Sequence, residues 1–199
     1  TTCIKPEGTA SIILGCSSGI HAWHNKHYIR RVRVGKKEEV YRYLSEKHPE
    51  LLEDDYFKPY LQSIISVPQK APDGSILRNE DVLDMLKRVK KFSTEWIRPG
   101  HRNGQNRHNV SATASLREED WEKVGDWMWK NRNHYNGLAV LPYHGGSYVQ
   151  APFEDCDEET YNRMLKSLKE VDLSKIKEED DNTDLKGELA CAGGACEIF

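Results

Sequence analysis

Two cysteines, Cys191 and Cys196, stand near the end of the chain, separated only by Ala192, Gly193, Gly194 and Ala195. Small residues there let the backbone fold until the sulfurs meet, so the pair can close into a disulfide and carry it elsewhere. The stretch before it, 175–186, is too acidic and polar to pack. A zinc site needs further soft ligands, and the nearest cysteine, Cys156, lies well upstream. An inert exposed pair is the alternative, but soluble proteins generally avoid exposed thiols. The reading adopted is a redox-active dithiol. About twenty flexible residues give a root-mean-square reach of roughly 25 Å, enough to visit a buried site and return to solvent.

A second candidate is Lys5, Pro6, Glu7, Gly8, Thr9, Ala10 and Ser11. A turn after a strand, with a glycine and two hydroxyls, presents successive backbone N–H groups to an anion. A tight turn without ligand is the commoner meaning of such a stretch. Another small-residue loop, Gly15 to His21, follows at once. In parallel α/β sheets ligands collect beyond the carboxyl ends of strands, which favours a site here. His21, His24 and His27 are spaced by three, but no Cys or His partner completes a metal set, so they read as polar side chains on a loop or short helix. The expectation for metal is none. The basic loop 98–108 could contact phosphates or simply be a solvated connection.

The elements that must hold these residues follow from periodicity. Strands are expected at 28–34, 63–67 (ended by Pro68), 110–114 and 138–141 (closed by Pro142). Helices are expected at 37–47, from an N-cap at Asn79 to Pro99, from a capping box at Ser115–Glu118 onward, and at 158–170. Trp121, Trp127 and Trp129 crowd one helix as core and cover. Strands alternating with helices of ten or more residues imply an α/β fold with largely parallel pairing.

The 199 residues suit one well-buried domain or a domain with a tail. A formal net charge of -3 gives no basic excess and so no nucleic-acid footprint. No apolar run could span a bilayer, and the five irregularly spaced cysteines are not a secreted disulfide framework. Both point to the cytoplasm. The strand-like start without methionine, Thr1 to Ile4, implies a fragment or the loss of something upstream.

Taken together, the ordered motifs resemble the C-terminal part of the large chain of adenosylcobalamin-dependent (class II) ribonucleotide reductases. They are Thr2–Ser11 with Ser18–His21, Arg98–His101, His108–Thr113, Asn136–Tyr143, Gln150–Glu154 and the Cys191/Cys196 tail. The resemblance implies the C-terminal portion of a ten-stranded α/β barrel over 1–170 and a flexible redox-active tail over 171–199. It implies that Pro6, Glu7, Gly8, Thr9, Ala10 and Ser11 bind substrate phosphates. It also implies that Cys191 and Cys196 re-reduce an active-site disulfide and are themselves reduced by thioredoxin or a similar dithiol protein. The substrate would be a ribonucleotide, the partner the upstream half of the barrel, and the cofactor adenosylcobalamin, bound largely by residues outside this chain. No Asn-x-Cys-x-Glu pattern of a radical-bearing finger loop occurs here, so 1–199 alone should be inactive. Cys16 and Cys156 read as structural. The alternative is a stand-alone thiol redox or partner-binding module that binds no nucleotide.

Overall fold

The structure is a computed structural model that describes residues 3–143 and 148–177, without the side chains of Thr9 and Ile12. In chain order the elements are α1 (Gly8–Leu14), β1 (His27–Gly35), α2 (Glu39–Lys47), β2 (Leu52–Asp54), β3 (Gln62–Lys70), α3 (Val82–Phe92), α4 (Arg98–Gly100), β4 (Thr113–Leu116), α5 (Trp121–Lys130), β5 (Ala139–Pro142), β6 (Phe153–Asp155) and α6 (Glu158–Ser167). They form two compact units, one from residues 3–24 and 73–143, the other from 25–72 and 148–177. No helix among the described residues is long and apolar enough to cross a membrane.

In the first unit β4 and β5 pair in parallel, Thr113 opposite Ala139 through Leu116 opposite Pro142, with α5 as the crossover. This is the expected strand–helix–strand arrangement. Helix α3 supplies both halves of the core. Val82 and Leu86 pack with Ala114, Leu116 and Val124, while Met85 and Val89 pack with Ile97, Val110 and Ala112. The cap of α3 is Asp81, whose side chain accepts from the amide of Leu83 at 2.8 Å, not Asn79. Beyond Phe92 the helix widens into a π-helical stretch, Ser93–Ile97, before α4. Ser115 lies inside β4 rather than capping α5. The capping pair sits instead on the short 3-10 turn Glu118–Asp120 that precedes α5, where Asp120 Oδ2 accepts from the amide of Arg117 at 2.9 Å. Of the three tryptophans, Trp127 packs on the core, whereas Trp121 and Trp129 are largely exposed.

The second unit departs from the expected parallel pairing. Its sheet has the order β2-β3-β1-β6, and every adjacent pair is antiparallel. The cause is β2, three residues too short to show a period. Since β2 and β1 are each antiparallel to β3, they run in the same direction, so β1–α2–β2 is the crossover and β3 inserts between its strands. Pro68 does not end β3, which continues to Lys70. Proline lacks the N–H a ladder needs, but β2 reaches only Ser63–Ile65, so at Pro68 the strand is an outer edge. Helix α6 joins this unit through Tyr161, which stacks on His27 with ring centroids 4.9 Å apart.

Candidate functional site

The segment around α1 is suspended from one strand. On its N-terminal side Ile4 bridges Val110 in parallel, and the amide of Ser111 donates to the Ile4 carbonyl at 2.9 Å. On its C-terminal side His21 Nε2 accepts from the amide of Thr113 at 3.1 Å. Trp23 then pairs with Leu77. The intervening residues are thus held at both ends by 110–113, the stretch leading into β4.

The loop between these anchors is tied across itself. The amide of Glu7 donates to Ser18 Oγ at 3.0 Å. Gly19 adopts φ +60°, and a Cβ there would lie 2.7 Å from the Lys5 carbonyl oxygen, so only glycine permits this approach. Arg88 Nε donates to the Ile20 carbonyl at 3.2 Å, while its Nη atoms fork onto Glu80. Of the residues expected to bind phosphate, Pro6 and Glu7 precede α1, and Gly8, Thr9, Ala10 and Ser11 form its first turn. The apolar run Ile12–Leu14 is helical, with Ile13 and Leu14 exposed. Ser11 is buried, and its hydroxyl donates to the Gly8 carbonyl at 3.0 Å. The Ser11 amide donates to the Glu7 carbonyl at 3.3 Å and the Glu7 amide is taken by Ser18, so the donors this turn offers to an anion are the amides of residues 8–10.

The sequence marked His21 as the end of the Ser18–His21 motif but gave it no role. Burial holds its imidazole below the ordinary 6.5, against the raising effect of its bond to the Ser18 carbonyl. His27 belongs to the other unit. No group of three or more metal-ligating side chains occurs among the described residues.

The remaining motifs of this unit meet at the 98–109 loop. Asn136 Nδ2 donates to the Arg107 carbonyl at 2.6 Å, and the Gly137 amide donates to Asn109 Oδ1 at 3.0 Å. A pocket of about 380 Å³ is lined by Trp96, Ile97, Gly100, His101, Arg102, Asn103 and His108. In the other unit, Gln150 connects to the β2 end, its Nε2 donating to the Asp54 carbonyl and its Oε1 accepting from the Tyr56 amide, both at 2.8 Å. Cys191 and Cys196 lie outside the described residues. Cys3 and Cys16 are exposed free thiols, so Cys16 does not pack as a structural cysteine would. Cys156 is half-buried, and burial, with Asp157, Asp155 and Glu154 nearby, pushes its thiol up.

No protein-family model matches the chain. Among curated proteins it is 26% identical over 200 residues to the adenosylcobalamin-dependent ribonucleoside-triphosphate reductase of Lactobacillus acidophilus, an alignment covering 99% of this chain and 26% of that protein. It is 25% identical over 200 residues to the enzyme of the same name from Lactobacillus leichmannii, with the same coverage. It is 28% identical over 185 residues to the probable adenosylcobalamin-dependent ribonucleoside-triphosphate reductase of Dictyostelium discoideum, covering 88% of this chain and 22% of that one. A crystal structure of B12-dependent (class II) ribonucleotide reductase shares the fold over 82% of this chain and 22% of its own, with a TM-score of 0.67 at 22% identity. The chain spans about a quarter of the length of the curated relatives it matches. These relatives bear out the resemblance read from the motifs, along nearly the whole chain.

Proposed function

We propose that this chain is part of a ribonucleotide reductase that converts ribonucleotides to 2′-deoxyribonucleotides by thiyl-radical chemistry. The observation that carries the reading is the alignment of 99% of the chain with proteins named as such reductases. A thiyl radical takes the 3′-hydrogen, the 2′-hydroxyl leaves as water, and two cysteine thiols become a disulfide while supplying two electrons. Pro6 through Ser11 hold the substrate phosphates, and the relatives' names favour a ribonucleoside triphosphate. Adenosylcobalamin, when bound, supplies the radical, and its binding residues lie largely outside this chain. Cys191 and Cys196 then exchange with the active-site disulfide and pass their own to thioredoxin or a similar dithiol protein. The cytoplasm is the compartment that keeps such thiols reduced.

The test uses the complete polypeptide that carries this chain, with thioredoxin as reductant. Cys191→Ser or Cys196→Ser should spare the first turnover and stop the following ones. A double serine variant that cycles normally would refute the shuttle. Residues 1–199 alone should show no turnover until the remaining polypeptide is added.

A further inference from the structure

We propose that His21 is a positioning residue for the phosphate loop, tying the Ser18 segment that holds Glu7 to the strand segment that carries Thr113. This rests on the reading of residues 6–11 as the substrate-phosphate site.

The partners of the ring assign its form. Nδ1 lies 2.9 Å from the Ser18 carbonyl oxygen, which can only accept, so Nδ1 carries the proton. Nε2 lies 3.1 Å from the amide nitrogen of Thr113, which can only donate, so Nε2 presents its lone pair. One neutral tautomer satisfies both, whereas a protonated ring would set two N–H groups against each other. Two charged groups face the ring: Arg88 of α3, which disfavours protonation, and Glu80 just before that helix, which favours it. Burial and Arg88 together keep it neutral near pH 7.

The connection to the phosphate turn is short. His21 fixes Ser18 through its carbonyl, and Ser18 accepts the Glu7 amide through its hydroxyl. The adjoining Gly19 lies so near the Lys5 carbonyl that even a methyl group would collide. Movement of 18–19 therefore moves 5–7. His21 touches no substrate in this scheme and acts only through Ser18.

The experiment measures binding of tripolyphosphate and of a ribonucleoside triphosphate to the complete polypeptide by calorimetry, from about pH 5 to 8. An asparagine amide at position 21 sits where Nδ1 does, and a glutamine amide where Nε2 does. His21→Ala, which loses both contacts, should weaken both ligands roughly tenfold, while His21→Asn and His21→Gln, each keeping one of the two contacts, should weaken them less. Below pH 6.5 the wild type should weaken more steeply than His21→Asn, because only the wild type has a ring to protonate. If alanine unfolds the protein, the asparagine and glutamine forms, each expected to bind more weakly than the wild type near neutral pH, and the pH profiles decide. Equal binding by the wild type, asparagine and glutamine forms at every pH, with binding lost in Ser11→Ala, would overturn the His21 inference and leave the phosphate loop standing. No binding by the wild type, or binding indifferent to Thr9→Ala and Ser11→Ala, would overturn the phosphate loop and this inference with it.

Discussion

Arg33 Nε lies 3.0 Å from Asp55 Oδ2, and that carboxylate is only 1% exposed. Its other oxygen accepts the amides of Phe57 and Lys58, both at 2.8 Å, so the ion pair fixes the turn after β2. Burial disfavours its charge, but the two amides and the guanidinium outweigh burial and hold the carboxyl below its ordinary 3.8. Asp55→Ala leaves the Arg33 guanidinium without this partner and should cost about 3–5 kcal/mol in urea unfolding of this unit. A carboxyl with a lowered folded value stabilises fully above 3.8 and loses that contribution as pH falls through the folded value. Asp55→Asn should therefore flatten the acid limb of the stability curve. An unchanged limb would show that the pair does not couple folding to pH.

Gly19 and Gly15 give a controlled comparison. Both have positive φ, +60° and +61°, but a Cβ at Gly15 meets nothing within 4 Å. Gly15→Ala should cost only the left-handed backbone penalty, roughly 1–2 kcal/mol. Gly19→Ala adds a collision with the Lys5 carbonyl and should both cost more and weaken nucleotide binding. Equal costs in thermal unfolding would mean that the Lys5 contact does not constrain the loop.

The success of the sequence reading followed the length of each element. The nine-residue strand β1 and the helices α2, α3, α5 and α6 have enough period to be seen, and β4–α5–β5 is the expected parallel unit. Three-residue β2 and β6 have none, and missing β2 turned an antiparallel sheet into an expected parallel one. Pro68 misled because a proline blocks pairing on one side of a strand only, and which side is open is a tertiary fact. At the site, the glycine and hydroxyls of 6–11 were visible as residue types. His21 was visible as part of a motif but its role was not, because that role lies in Thr113, ninety-two positions away.

Gln150 is the non-glycine residue with positive φ among those described, at 58°. Its side chain repays that conformation with hydrogen bonds to the Tyr56 amide and the Asp54 carbonyl. Gln150→Ala loses both bonds and keeps the strain, for a cost of about 2 kcal/mol. Gln150→Gly loses the bonds but relieves the strain, and should be about 1 kcal/mol less damaging. The reverse order of stability in chemical denaturation would exclude backbone strain as the relevant term.

Arg88 adds to burial in keeping His21 uncharged. Its guanidinium disfavours a protonated imidazole, while Glu80, its own forked partner, favours one. Arg88→Met removes the first influence and keeps the second, so the His21 value should rise, with burial still holding it down. A raised value means that protonation, and loss of the Thr113 contact, begins at higher pH. Nucleotide affinity in Arg88→Met should therefore start to fall closer to neutrality than in the wild type. Imidazole proton shifts followed by NMR across a pH titration measure the midpoint directly. A midpoint that stays or falls would show that burial alone sets the charge of His21, with the Arg88–Glu80 pair serving only to hold the Ile20 carbonyl.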